Sequence, residues 1–163
     1  MKQHTYQTQV EWTGNEGSGT KNFRSYRRDY TIAADGKMTI EGSSDPAYRG
    51  DPKRYNPEEL LVAGLSSCHM LWYLHLCSVK AITVVDYRDQ AQGVMEETAD
   101  GSGLFKSVQL NPQVTILEPH QAEKATALHH EAHDLCLISR SVNFAVEIVP
   151  SIVVAAPALE QIS

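Results

Sequence analysis

Cysteine is scarce and odd in number, three in 163 residues. An odd count leaves no complete disulfide framework, which excludes a small disulfide-stapled scaffold. Positive charge is the minority sign, with 14 Lys and Arg against 20 Asp and Glu and a net charge of −6. That balance argues against a general binder of nucleic acid or of anionic membrane. No run approaches the ~18–20 apolar residues of a membrane span. Residues 1–9 are polar and lack the apolar core of a signal peptide. Internal repeats, low-complexity runs, a P-loop, a dinucleotide fingerprint and a Gly-x-Ser-x-Gly elbow are all missing. The expectation is one domain, residues 1–154, followed by a loose tail, residues 155–163, in a reducing cytoplasm. There a cysteine is either a small core residue or a chemical one.

Hydrophobic patterning supplies the elements. Residues 7–12 alternate polar and apolar and predict a first strand. Residues 23–33 predict a second, and the Asp35-Gly36 pair marks a hairpin to a third over 38–41. A long loop follows, residues 42–55, and loops of this length are uncommon in compact domains and often functional. Then comes the strongest helix. Asn56 suits the N-cap, Pro57 the first helical position, and Glu59 completes a capping box. From residue 58 to 79 there is no proline and one glycine, Gly64. This helix is apolar nearly all round, so it is expected to be central and covered on most sides, in part by a second chain. Strands are predicted over 82–87, 92–97, 105–110, 113–117 and 142–149, the last with Val142, Phe144, Val146 and Ile148 inward. A second helix opens at Pro119 and runs to about Leu135. The order implies an α+β fold with mainly antiparallel sheets.

The cysteines carry the chemical question. Cys68 and Cys77 are nine residues apart on one helix, on opposite faces, and too far apart for a disulfide. Cys77 reads as core. Cys68 has Gly64 one turn earlier and Ser66 and Ser67 beside it, small neighbours that leave room for a second group at its sulfur. Cys136 closes the second helix, ahead of Ser139 and Arg140. A thiol at its ordinary pKa is mostly protonated at neutral pH, and the thiolate is the nucleophile. The helix dipole acts within the first turn and does not reach Cys68, so a cation must be brought to it. The long loop offers Arg49, Lys53 and Arg54, and the second strand Arg24, Arg27 and Arg28. Glu58 and Glu59 could hold such an arginine, or could simply complement the helix N-terminus. Glu58 lies ten residues before Cys68, about 15 Å along an unbroken helix. A shared site therefore needs a broken helix or a partner chain. His129 and His133 stand at i and i+4, a spacing open to zinc, but no third ligand supports it. The expectation is a solvated helix face, with no metal and no cofactor.

The stretch Asn56-Pro57-Glu58-Glu59-Leu60, continuing to Cys68, resembles the signature of the OsmC/Ohr family, thiol-dependent peroxidases acting on organic hydroperoxides. Cys136 with Ser139 three residues on resembles that family's second signature. The resemblance implies an OsmC-like fold, with mainly antiparallel sheets around a long central helix, in an intertwined homodimer with sites at the interface. It implies Cys68 as the peroxidatic cysteine and Cys136 as the resolving one that closes a disulfide with it. Glu58 would hold the activating arginine, for which Arg49 matches best and Arg28 is the runner-up. Tyr48, Leu65 and Trp72 would accept the alkyl group, and a dithiol such as a lipoyl group would be the reductant. Leu137 stands where the family usually carries proline, so the turn presenting Cys136 is expected to differ. The segment 69–76 and the loop 44–51 also depart from the usual pattern. Two other readings of the same residues stay open. One is a redox-sensing or small-ligand-binding module without significant turnover, and the other a structural dimer with inert thiols.

Overall fold

The computed structural model describes residues 2–156, so the expected tail lies outside the described residues from 157 onward. The chain divides into two compact units, one up to Leu60 and one from Leu61.

The first unit is a meander of β1 (Gln9–Trp12), β2 (Tyr30–Ala33) and β3 (Ile40–Gly42), antiparallel throughout. The Asp-Gly hairpin forms as expected, with Gly36 at φ 68° and the Lys37 amide donating to the Ala34 carbonyl at 3.1 Å. The second strand is shorter than the sequence suggested. Residues 26–29 keep only broken pairing with residues 13–15, through the Thr13 amide to the Asp29 carbonyl and the Arg27 amide to the Gly14 carbonyl, both 2.9 Å, and residues 22–25 turn away because local side chains compete for the backbone. Ser25 Oγ accepts from the Asn22 amide at 3.1 Å, and Asn22 Oδ1 accepts from the Arg24 amide at 2.9 Å.

The second unit holds two sheets. In one, β4 (Val84–Asp89) pairs with β7 (Pro112–Ile116), and β7 with β9 (Ser151–Val154). In the other, β5 (Gln92–Glu97) pairs with β6 (Gly103–Leu110), and β6 with β8 (Ala145–Ile148). The fold is α+β, but the sheets are mixed. The pairs β6–β8 and β7–β9 are parallel because helix α2 (Ala122–Leu135) is a crossover that returns the chain in the starting direction. The strand expected to end at residue 149 is followed by one more. Pro150 interrupts the ladder, and the β-branched run Ile152-Val153-Val154 resumes it beside β7.

Helix α1 (Pro57–Val79) runs unbroken, within one residue of the expected span. Its capping box forms in both directions. The Glu59 amide donates to Asn56 Oδ1 at 2.7 Å, and the Asn56 amide donates to Glu59 Oε2 at 3.1 Å. Replacing Asn56 with alanine is expected to lower stability by about 1 kcal/mol, read as a lower urea midpoint at unchanged slope. By length and composition α1 is long and apolar enough to cross a membrane, which corrects the expectation that no stretch approaches this. In the second unit it buries Leu65, His69, Tyr73, Leu76 and Cys77. Leu65 packs with Val108 and Leu110. Tyr73, Leu76 and Cys77 pack with Ile82, Val114, Ile116 and the α2 residues Ala125, Leu128 and Ala132. Each large aliphatic so buried contributes roughly 1.5–3 kcal/mol. Val142, Phe144, Val146 and Ile148 pack against the Leu65, Val108 and Leu110 cluster, as their alternation predicts.

Asp89 ties helix to sheet. It accepts from Ser66 Oγ of α1 at 2.5 Å and from the Asn111 amide at 2.7 Å, fixing the bend where the chain passes from β6 to β7.

Candidate active site

The long loop of the first unit is pinned rather than loose. Buried Ser43 donates from Oγ to buried Asp29 at 3.1 Å and accepts from the Asp51 amide at 3.0 Å. Asp29 also pairs with Arg27 at 3.2 Å. A short 3-10 turn, Pro46–Tyr48, ends at Arg49 in the left-handed region with φ 68°, a conformation that costs a non-glycine residue energy and marks a constrained position. Arg49 sets its guanidinium 5.3 Å from the Phe23 ring centroid. Arg28, the runner-up, is committed locally. It donates to the Tyr26 and Phe23 carbonyls at 2.7 and 2.9 Å and lies over both rings. Among the described residues Arg49 forms no ion pair, so this chain does not join it to Glu58.

Glu58 instead has a buried Oε2 with no hydrogen-bond partner among the described residues. Tyr30 registers that charge: burial first, and then the Glu58 carboxylate, push its phenol upward. Gly42 makes room for this tyrosine, since a Cβ there would fall 2.3 Å from the Tyr30 ring. An unpaired carboxylate oxygen out of water is unfavourable and calls for a cation that the first unit does not bring.

The second unit brings the two expected cysteines together. Cys68 is half-buried on α1, Cys136 is buried at the end of α2, and both are free thiols. Burial first, then the facing Cys68 sulfur, push the Cys136 thiol up to about 11, so Cys136 is a protonated thiol at neutral pH. The Ser139 amide donates to Cys136 Sγ at 3.4 Å, and Ser139 Oγ sits 3.3 Å from His133 Nδ1. The Cys-x-x-Ser spacing thus closes a turn around the sulfur. Beside Cys68, a Cβ at Gly64 would meet nothing within 4 Å, the open space its small neighbours suggested. Cys77 is a core residue with its thiol pushed up by burial.

The alkyl-binding residues separate. Leu65 is fully buried against Val108 and Leu110 and offers no surface, because its place on the helix is the inward face. Trp72 is half-buried and edge-on to His75 at 5.9 Å. Tyr48, in the first unit, is 45% exposed.

The expectation of a solvated histidine face on α2 fails. His129 is 2% exposed and His69 1%. His69 Nε2 and His129 Nδ1 are 3.0 Å apart. The two imidazoles lie edge to edge in nearly one plane, with centroids 5.3 Å apart, and Tyr73 stacks on the face of His129 at 3.8 Å. The signal was in the helical period. His69 lies between Leu65 and Tyr73 at four-residue steps, and His129 between Ala125 and Ala132, both on inward faces. Among the described residues no group of three or more His, Cys, Asp or Glu is placed to hold a metal ion.

An α+β fold with two facing thiols, one at the middle of a capped central helix and one in a Cys-x-x-Ser turn, defines a two-cysteine protein class. Residues 50–151 match the family described as OsmC-like protein, and the chain belongs to that family. It is 31% identical to an OsmC-like protein of unknown function from Vibrio cholerae O1 biovar eltor, over 94% of this chain and 100% of that one, with a TM-score of 0.74. It shares its fold with an organic hydroperoxide resistance protein from Elizabethkingia anophelis, at 17% identity over 94% of this chain and 100% of that one and a TM-score of 0.64. A similar protein from Legionella pneumophila, an organic hydroperoxide resistance protein OsmC, is 19% identical over 92% and 98% with a TM-score of 0.61. No curated protein matches the chain.

Proposed function

We propose that this protein is a cysteine-based peroxidase that reduces organic hydroperoxides to alcohols. The observation that carries the reading is the pair of free thiols, Cys68 half-buried beside open space and Cys136 buried against it. Neighbours of the same fold named for organic hydroperoxide resistance support it.

The Cys68 thiolate would attack the terminal peroxide oxygen. The O–O bond breaks, the alkoxide leaves and is protonated, and sulfur loses two electrons to become a sulfenic acid. The Cys136 sulfur then attacks the Cys68 sulfur, displacing hydroxide as water while its own proton is taken up. The resulting disulfide is reduced by a dithiol, for which a lipoyl group is the proposed source. Arg49 is the proposed cation for the thiolate, since Arg28 is held by carbonyls of its own loop. Glu58 sits ten residues before Cys68 on one unbroken helix, so the carboxylate serving a Cys68 site would come from a second copy, and we place the site in a homodimer. Leu71 and Val79 of α1, 63% and 65% exposed, are apolar surface that such a copy would cover. Tyr48 and Trp72 are the proposed alkyl contacts, and the proposed setting is a reducing cytoplasm.

Steady-state assay of the full chain with cumene hydroperoxide and a dithiol tests this. Repeated turnover is expected. One stoichiometric oxidation without a cycle would instead mark a redox sensor, and no oxidation of Cys68 would end the peroxidase reading.

A further inference from the structure

The turn that carries Cys136 holds side chains that the thiol chemistry just described leaves unused. Cys136 ends α2 in an extended conformation, φ −67° and ψ 109°, and the chain then winds into a short 3-10 helix, Ser139–Ser141. No proline in residues 136–141 fixes this path. Hydrogen bonds fix it instead. The Cys136 amide donates to the His133 carbonyl at 3.2 Å, and the Arg140 amide donates to the Cys136 carbonyl at 3.1 Å. Ser141 Oγ donates to the Leu137 carbonyl at 2.7 Å.

One branch of this network ends on the sulfur. The Ser139 amide donates to Cys136 Sγ at 3.4 Å, while Ser139 Oγ lies 3.3 Å from His133 Nδ1. His133 stands three residues before Cys136, on the adjoining turn of α2. The helix therefore holds the imidazole, the imidazole holds the Ser139 hydroxyl, and the Ser139 backbone holds the sulfur. Both His133 and Ser139 are half-buried, so neither hydroxyl nor ring is free to swing away into water.

The amide matters because few groups favour a charged Cys136. Burial first, then the facing Cys68 sulfur, raise its thiol, and the amides of Ser139 and Ile138 oppose them. When Cys136 attacks, its proton is lost and negative charge builds on Sγ. A hydrogen bond to a charged acceptor is stronger than one to a neutral acceptor, so a donor already aimed at Sγ lowers the barrier. We propose that His133 is a positioning residue for disulfide closure, clamping the Ser139 hydroxyl so that the Ser139 amide stays directed at Cys136 Sγ while that sulfur attacks Cys68. The clamp rests on the cysteine roles given under the proposed function. In that step the Cys136 electron pair forms the S–S bond, and the group on Cys68 leaves with its own bonding pair. In the peroxide cycle that group is hydroxide, which takes up the Cys136 proton and departs as water.

Closure can be measured without peroxide. Reduced protein is mixed with the aromatic disulfide dithiobis(nitrobenzoate) in a stopped-flow instrument. Cys68 displaces one coloured nitrothiobenzoate and keeps the other as a mixed disulfide. Cys136 then attacks the Cys68 sulfur, displaces the second nitrothiobenzoate and gives its proton to solvent. His133→Ala is expected to leave the first release at the parental rate and to slow the second about 10-fold. Ser139→Ala, which keeps the amide and removes the hydroxyl, is expected to do the same, and carries the test alone if His133→Ala does not fold. The double variant is expected to be no slower than either single one, since all three break one clamp. His133→Asn, whose side-chain amide can reach the same hydroxyl, is expected to restore most of the rate. A second release at the parental rate would overturn the clamp. So would equal slowing of both releases, losses that multiply in the double variant, failure of asparagine to rescue, or a parent that releases one nitrothiobenzoate only. A parent that closes its disulfide here but consumes no hydroperoxide ends the peroxidase reading and leaves the clamp standing.

Discussion

A Cys68→Ser variant is expected to lose peroxide consumption by at least about 1,000-fold while keeping its fold. Sulfur and oxygen are close in size, and Cys68 is only half-buried, so the packing cost is small. The chemical cost is large, because a serine hydroxyl does not ionise in the range where a thiol does and is a far poorer nucleophile toward a peroxide oxygen. Cys136→Ser separates the steps. The first oxidation proceeds, no intramolecular disulfide closes, and a sulfenic acid accumulates that dimedone traps. Because Cys136 is held as a thiol, up to about 11, it is expected not to compete for peroxide in the parent protein. The measurements are hydroperoxide loss and intact mass. A Cys68→Ser protein with parental activity would remove Cys68 from the mechanism.

The second large effect is on stability against acid. His69 and His129 are neutral in the fold, with values pushed down to about 4 and about 3, whereas an unfolded histidine titrates near ~6.5. Between those limits the unfolded chain binds more protons than the folded one, so stability falls as pH falls. It is complete above pH ~6.5, and at pH ~5 each ring has lost about 2 kcal/mol, about 4 kcal/mol for the pair. For a chain of this size that is a drop of roughly 10 °C in Tm. The carboxylates of Asp100, held at about 2 by the Thr98 and Ser102 hydroxyls, and of Glu118, lowered by Thr83, contribute below this window. Thermal unfolding at pH 7 and pH 5 checks it, and a flat profile would mean the rings accept protons in place.

The contrast between what could be read early and what could not follows from the range of the forces. Helix α1, its capping box, the Asp-Gly hairpin and most strands depend on neighbours within a few residues, and these were legible. The start of the second strand was placed too early because the Asn22 and Ser25 side chains bond to the backbone, a competition that propensity does not weigh. The parallel pairing of β8 and β9 depends on a crossover, and so was invisible to local pattern. Leu65 was assigned to substrate although its helical face is inward. His129 was assigned to solvent although its neighbours Ala125 and Ala132 are buried on the same face.

The amino-acid order alone determined the capped helix that carries Cys68, the turn that carries Cys136, and the family to which both motifs point, because each is written in contiguous residues. Only the tertiary structure decided that the two sulfurs face each other, that Arg28 is spent on its own loop, and that two histidines sixty residues apart share a proton. Those contacts exist where apolar burial drives α1 and α2 together, and nothing within a single stretch of chain specifies which side chains then meet.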